Sequence, residues 1–219
     1  MLVLEEIFKN KKAEHSEAFN LRLHRGISWF KKAMLLDDDL DLKFISLWIS
    51  FNAIYAREGT ALQPQQSVKQ FLTTVSQLDH ERKVEYVFEH KAKQTLHLIL
   101  DNPYIYQGFW DYHNHKISQV SWKTEFEAEQ RVVHQALHSR KTAEILSFLF
   151  ARLNTLRNQV LQGGVSYNSV VNRRYIADGC SILSILIPIF MYILLENAEQ
   201  LDTEKPFYPV MQILRVYLV

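Results

Sequence analysis

The 219-residue sequence contains a single cysteine, Cys180, and only six glycines and five prolines. One cysteine cannot form an internal disulfide, which is typical of proteins in a reducing cytoplasm. Because Cys180 lies in an apolar run, we expect it to be a buried core residue and not a nucleophile. The few glycines form no G-x-x-x-x-G-K-[ST] loop, G-x-G-x-x-G turn or G-x-S-x-G elbow, which disfavours nucleotide hydrolysis, Rossmann cofactors and α/β-hydrolase chemistry.

The sequence also lacks an excess of one charge, since 25 basic and 24 acidic residues give a net charge of +1 and a pI near 7.9. No overall basic field is therefore present to attract nucleic acid. An RNA site would have to be a local patch or be created by dimerisation.

No apolar run is long enough for a clear membrane span. The longest, Gly179–Leu195, has 17 uncharged residues between Asp178 and Glu196, and it contains Pro188. A spanning helix needs about 20 apolar residues. We therefore predict a central buried helix and no association with a membrane.

Period-two alternation does not persist anywhere, whereas helical spacing of apolar residues recurs along the chain. The sequence predicts an all-α, up-down helical bundle in a single domain, 1–219, in which about 60–139 is a more variable helical insertion. The predicted helices span His15–Leu36, about Leu40–Glu58, Ser67–Leu78, Glu81–Leu100, Trp122–Leu137, a helix from Ala143 that carries Gln162 and ends at Gly163-Gly164, and Ser169 to about Gln200, with a linker at Gly59–Gln66. Ser16, Asp39 and Ser169 are the expected N-caps. The apolar tail Pro206–Val219 is expected to cover the bundle or to form a subunit interface.

The helix that follows Ala143 has an unusual polar arc near its end. At about 100° per residue, one face collects Leu146, Leu149, Leu153, Leu156 and Val160. Arg157, Asn158 and Gln162 share a separate arc of about 140°, and Gly163-Gly164 supplies a left-handed residue to end the helix. A guanidinium and two carboxamides are therefore expected side by side at the C-terminal end.

This arrangement resembles the signature of the HEPN superfamily, which is Arg, a polar residue that is often Asn, three variable residues and His, in many members followed by Gly-Gly. The resemblance covers about two thirds of the chain. Further residues similar to stand-alone bacterial HEPN proteins are Tyr167-Asn168-Ser169, Val171-Asn172-Arg173 and the upstream helix Phe44–Tyr55.

The resemblance implies a metal-independent endoribonuclease without cofactors, acting as a homodimer with a composite cleft, in a defence or toxin–antitoxin setting with an antitoxin or other protein partner. Arg157 would bind the scissile phosphate, and Asn158 would orient Arg157. Gln162 would occupy the place of the general base. The RNA-binding surface would be extended by Arg152, Asn168, Arg173 and Arg174.

Gln162 departs from the family pattern at the position where active members have His. Glutamine hydrogen-bonds a phosphate or ribose but does not titrate, so it cannot act as a general base. The sequence is compatible with a weakened enzyme, with a binding-only relative, or with a replacement of the natural residue at position 162. An inactive interaction or dimerisation module is the alternative function.

Two other groups of residues have alternative interpretations. His113 and His115, and His134 and His138, have the spacing of metal ligands, but without an H-E-x-x-H framework we expect ordinary surface histidines and no metal site. His134 or His138 would also be candidates to replace the missing histidine. The aromatic segment Tyr104–His115 predicts either a satellite core or a platform on which bases stack.

Overall fold

The structure, a computed structural model, describes residues 2–55 and 64–201. All regular secondary structure in these two ranges is helical, which confirms the all-α helical bundle. The helices are α1 (Leu2–Lys11), α2 (Glu17–Ala33), α3 (Leu40–Tyr55), α4 (Pro64–Leu78), α5 (Lys83–Tyr86), α6 (Lys93–Leu100), α7 (Gln107–His113), α8 (Gln119–His138), α9 (Thr142–Leu161), α10 (Arg173–Glu196) and α11 (Ala198–Leu201). Of the linker predicted over Gly59–Gln66, residues 59–63 lie outside the described residues. The rest of that prediction is wrong, because α4 begins at Pro64. The apolar tail Pro206–Val219 also lies outside the described residues.

The core is built around α10, which contacts α2, α3, α4, α6 and α9. Aromatic rings from four helices meet at its centre: the Phe51 and Phe150 ring centroids are 4.5 Å apart, and those of Phe71 and Phe190 are 6.0 Å apart. All four rings are buried. Since Phe71 belongs to α4, the segment predicted as an insertion contributes directly to this core.

Helices α2 and α3 approach closely at Gly26. A Cβ at this position would lie only 2.6 Å from Ile54 Cγ2, so glycine permits the contact. Ser50 Oγ donates a hydrogen bond to the Gly26 carbonyl at 2.7 Å, and Arg22 Nη2 donates to the Ile54 carbonyl at 2.7 Å. These buried bonds hold α3 in register with α2, and α3 in turn supplies one wall of the site described below.

Two of the predicted N-caps are confirmed. Ser16 Oγ accepts a hydrogen bond from Phe19 N at 3.1 Å, and Asp39 Oδ1 accepts one from Leu42 N at 3.0 Å. The third is wrong, because α10 begins at Arg173 after Asn172 and not after Ser169. The preceding residues are instead held on the start of α3: Asn168 N donates to Asp41 Oδ2 at 3.2 Å.

The continuous helix predicted over Glu81–Leu100 is interrupted. Both carboxylate oxygens of Asp79 accept backbone N–H groups, from Lys83 at 2.9 Å and Val84 at 2.8 Å, and so begin α5. A π-helical turn, Val87–Lys91, follows and ends at Ala92, whose φ of −128° is not helical. Apolar spacing alone does not reveal a widened turn, because the same residues remain buried on both sides of it.

One described helix, α10, is long and apolar enough to cross a membrane by length and composition alone. Its most apolar 18-residue window has a mean hydropathy of 2.0, and 61% of that window is buried inside the bundle. This burial is what a core helix requires, and the packing of α10 against its neighbouring helices accounts for its apolar composition.

Cys180 lies on the buried face of α10, as predicted, with Sγ 3.5 Å from the Leu40 carbonyl. Burial raises the pKa of its thiol to about 12, whereas an exposed cysteine has a pKa of about 8.5. We expect iodoacetamide at pH 8 to leave the native protein unmodified and to alkylate it after denaturation, as measured by intact mass. Rapid modification of the native protein would contradict the burial.

The same thiol makes stability depend on pH. Its pKa is higher in the folded protein than in the unfolded chain. Its contribution to the free energy of unfolding is therefore complete below about pH 8.5 and is lost as the pH rises toward 12.

Candidate functional site

Helix α9 fixes the position of the polar arc because its opposite face is buried. Leu146, Leu149, Leu153 and Leu156 are all fully buried. The helix ends as the Gly-Gly pair predicts: Gly163 has a φ of +69°, Gly163 N donates to the Val160 carbonyl at 3.3 Å, and Gly164 N donates to the Gln159 carbonyl at 2.8 Å. This pair of bonds defines a Schellman motif.

Arg157 is half-buried beside the ring of Trp48, with its guanidinium carbon 5.4 Å from the ring centroid. Its Nη1 donates to Asn158 Oδ1 at 2.8 Å, and its Nε is buried without a hydrogen-bond partner. Among the described residues, no carboxylate forms an ion pair with Arg157. The structure therefore brings Arg157 and Asn158 together and leaves part of the guanidinium open to an acceptor.

Gln162 lies one residue beyond the last residue of α9 and is exposed. Its backbone N–H still donates to the Asn158 carbonyl at 3.0 Å, so it remains one turn from Asn158. The expectation of a continuous polar arc holds for Arg157 and Asn158, while Gln162 occupies the helix end, where its side chain faces solvent.

Arg157 and Asn158 line a cavity of about 360 Å³ between α3, α4 and α9. We refer to it as the Arg157 cavity. Its lining combines aromatic rings, carboxamides and cations with aliphatic and hydroxyl side chains. Besides Arg157 and Asn158, the lining residues are Trp48, Tyr55, Val68, Lys69, Leu72, Gln107, Ser147, Phe150, Ala151, Asn154 and Thr155.

The described lining of the Arg157 cavity carries a positive charge. Two cations, Lys69 and Arg157, line it, and no aspartate or glutamate is present among its described lining residues. Lys69 is exposed and, like Arg157, forms no ion pair within the described chain. Burial raises the pKa of Tyr55, and the nearby Arg157 partly opposes that rise. The Tyr55 hydroxyl therefore stays neutral at physiological pH and does not cancel the positive charge.

Two of the predicted RNA-binding residues serve a structural contact. Arg173 Nη2 lies 2.6 Å from Asp41 Oδ2, and the same oxygen accepts the Asn168 N–H, where Asn168 has a φ of +56°. The neighbouring Tyr167 hydroxyl donates to Asp39 Oδ2 at 2.8 Å. The loop after α9 is thus attached to the N-terminal end of α3, and Arg173 is largely neutralised.

Arg152 and Arg174 have opposite environments. Arg152 is only 2% exposed, its Nη2 lies 2.6 Å from Glu129 Oε1, and its guanidinium carbon lies 4.7 Å from the Tyr106 ring centroid. Arg174 is exposed. Of the basic residues expected to extend an RNA surface, Arg174 is accessible, whereas Arg152 is engaged inside the protein.

The histidines do not approach the Arg157 cavity. Neither His134 nor His138 lines it. His134 lies instead beside Asp101, with Nε2 3.7 Å from Oδ1, and its ring stacks on His97 at 6.5 Å between centroids. No group of three or more His, Cys, Asp or Glu side chains in residues 2–55 and 64–201 has the geometry to hold a metal ion.

The aromatic segment forms contacts of the kind expected for a satellite core. Phe109 contacts Trp110 and Trp122, with centroid distances of 5.3 and 5.4 Å. At the edge of this group, the half-exposed ring of Tyr104 stacks on Tyr175 at 6.2 Å, and the Tyr104 carbonyl accepts Gln159 Nε2 at 2.9 Å. The segment therefore braces α9 immediately beside the Arg157 cavity.

Several residues that line the cavity were not predicted as site residues from the sequence. Asn154 is four residues before Asn158, so helical spacing alone would have placed it on the same face. Lys69, Gln107 and Trp48 come from other helices, and only the tertiary arrangement brings them to Arg157. Asp41 was likewise missed, although an acid in the first turn of α3 is an available partner for a distant arginine.

No family model, curated protein or solved structure matches this chain.

Proposed function

We propose that this protein is an RNA-directed protein of HEPN type, a metal-independent endoribonuclease or an attenuated relative of one, acting as a homodimer. The observation that carries the proposal is the state of Arg157, which is half-buried, held by Asn158 and without a carboxylate partner among the described residues. A guanidinium in this state presents a planar fork that matches phosphate oxygens. Ordinary structural arginines in the same bundle, such as Arg152, are paired with an acid.

The chemistry would be attack of a ribose 2′-hydroxyl on the adjacent phosphate, with release of the 5′-oxygen and formation of a cyclic phosphate. Arg157 would bind the phosphate and stabilise its developing charge. Asn158 would orient Arg157 through the bond that it already accepts. Gln162 is able to hydrogen-bond the ribose or phosphate but cannot take the proton, so the protein as it stands is attenuated.

The homodimer is supported by exposed apolar side chains at the end of the motif and in the loop that follows it. Leu161, Tyr167, Val170 and Val171 are between 53% and 91% exposed. Exposed apolar groups concentrated in one short segment mark interaction surfaces. A second copy covering this segment would bring two sets of Arg157 and Gln162 toward a common cleft. The proposed setting in defence or a toxin–antitoxin system, with a protein partner, rests on the resemblance in the motif.

The alternative function is an interaction module that kept the bundle and lost the chemistry. The observation that favours it is the ion pairing of Arg152 with Glu129 and of Arg173 with Asp41, which removes two cations from any RNA surface. A dimer with no measurable affinity for RNA would support this alternative and contradict the first proposal.

We expect Arg157→Ala to weaken binding of single-stranded RNA by about 10- to 100-fold and to abolish any cleavage, because hydrogen bonds to charged groups contribute about 1.5–3 kcal/mol. Fluorescence anisotropy across a salt series measures the change, and loss of one phosphate contact should lower the salt slope by about one. Arg131→Ala is the matched control, since Arg131 is exposed on α8 and has no role in the cavity. Equal affinities of the Arg157 variant and the unaltered protein would remove Arg157 from the site.

A further inference from the structure

The aromatic and carboxamide walls of the Arg157 cavity extend beyond what a phosphate site requires. A phosphate is held by cations and N–H donors, whereas this cavity also contains the rings of Trp48 and Tyr55 and the side-chain amides of Gln107 and Asn154. Flat rings stack on nucleobases, and side-chain amides pair with the donors and acceptors on a base edge.

Arg157 supplies the group that would recognise an anion at the cavity. Its Nη1 donates to Asn158 Oδ1 at 2.8 Å, and it pairs with no carboxylate among the described residues. A ligand with acceptor oxygens or ring nitrogens would give the guanidinium a counterpart. Nucleobases and phosphates have both kinds of acceptor.

The size and charge of the cavity also restrict the ligand. A volume of about 360 Å³ lies at the small end of the range for ligand pockets, about 300–1,000 Å³. The absence of carboxylates from its described lining and the presence of Lys69 and Arg157 favour an anion. A purely apolar ligand would leave the half-buried guanidinium of Arg157 without a counter-charge, which is costly.

We infer that the Arg157 cavity binds a single unpaired nucleobase together with its phosphate, the base lying against the ring of Tyr55 and the phosphate on Arg157. The inference rests on the proposed function, since a strand of RNA is one source of this chemistry and a free mononucleotide is the other. In RNA, the cavity would select which base lies beside the scissile phosphate, with Asn154 and Gln107 reading its edge.

The test uses the full chain and two substitutions that leave Arg157 and Asn158 in place. Ala151→Phe adds a ring to the exposed cavity wall on α9, and Asn154→Leu removes one amide at nearly constant volume. Ala128→Phe is the matched control, since Ala128 is exposed on α8 and does not line the cavity. Circular dichroism and thermal unfolding establish that each variant is folded.

Titration calorimetry with AMP, GMP, CMP, UMP and inorganic phosphate, and anisotropy with labelled single-stranded RNA, measure binding. We expect at least one mononucleotide to bind about tenfold or more tightly than inorganic phosphate, because stacking of the base adds to the binding of the phosphate. Ala151→Phe should weaken binding of that nucleotide and of RNA by about tenfold or more, and Ala128→Phe should weaken neither. Asn154→Leu should change which nucleotide is preferred.

The remaining outcomes separate the two proposals. Tight RNA binding that Ala151→Phe leaves intact, with no preference for nucleotides over phosphate, overturns the base pocket and retains the RNA-directed function. Nucleotide binding that Ala151→Phe removes, without affinity for RNA, retains the pocket as a free-nucleotide site and overturns the RNA-directed function. If neither nucleotides nor RNA bind, both proposals fail.

Discussion

Replacing Gln162 by His is expected to raise the rate of RNA cleavage in EDTA by about 100- to 10,000-fold, which is the usual contribution of a general acid or base. Gln162 is exposed at the end of α9, one turn from Asn158, so the larger ring meets no packed neighbour and the fold should be unaffected. Histidine titrates with a pKa of about 6.5 and would supply the proton transfer that glutamine cannot.

The measurement is the initial rate of cleavage of a labelled RNA from pH 5 to 9, with the products analysed for a terminal cyclic phosphate. Gln162→Ala is the control for loss of the glutamine itself and should stay as slow as the unaltered protein. Adding Arg157→Ala to the His variant should remove the gained activity. A folded, dimeric His variant that is no faster would contradict the assignment of Gln162 to the position of the base.

Removing the carboxylate of Glu129 is expected to lower the free energy of unfolding by about 3 kcal/mol, at the lower end of the range for breaking a buried ion pair. Arg152 is 2% exposed, and its Nη2 lies 2.6 Å from Oε1 of the Glu129 carboxylate. In Glu129→Ala, the guanidinium would keep its contacts with Tyr106 and Phe126 but would lose its counter-charge. Most of the lost stability comes from leaving the guanidinium buried without a counter-charge. This cost is larger than the attraction between the two charges that the substitution removes.

Urea unfolding monitored by circular dichroism measures this loss. Glu127→Ala is the matched control, because Glu127 is exposed on the same helix and should change stability very little. The double replacement Arg152→Met with Glu129→Leu should recover most of the stability, since an apolar pair of similar volume removes both charges together. A Glu129→Ala protein as stable as the Glu127→Ala control would show that Arg152 does not depend on this partner.

The parts of the fold that depend on local spacing were predictable from the sequence. The buried face of α9 and the left-handed Gly163 follow from apolar periodicity and from the conformational freedom of glycine. The start of α10 was not predictable from local signals. Ser169 is a good N-cap by residue type, but Asp41, more than 120 residues earlier in the chain, holds the loop in another conformation.

The same distinction applies to the candidate site. Adjacent residues on one helix, Arg157 and Asn158, were predicted together and are found hydrogen-bonded. The cavity that they line also needs Trp48 from α3 and Lys69 from α4, and no local pattern connects those residues to the motif. Arg152 was assigned to the RNA surface because of its charge. The sequence did not reveal that Glu129, on α8, pairs with it inside the protein.

The pairing of Arg152 with Glu129 restricts which segments of this protein can be lost or replaced during evolution. Helix α9 carries the motif, yet a charge in its middle is neutralised by α8, and α4 adds Phe71 to the central core. A shortened version lacking residues 60–139 would therefore expose Phe51 and Phe190 and leave Arg152 without its counter-ion. Any relative that dispenses with this segment should have an apolar or small residue at the position of Arg152. The segment and the motif helix are thus expected to be inherited as one unit.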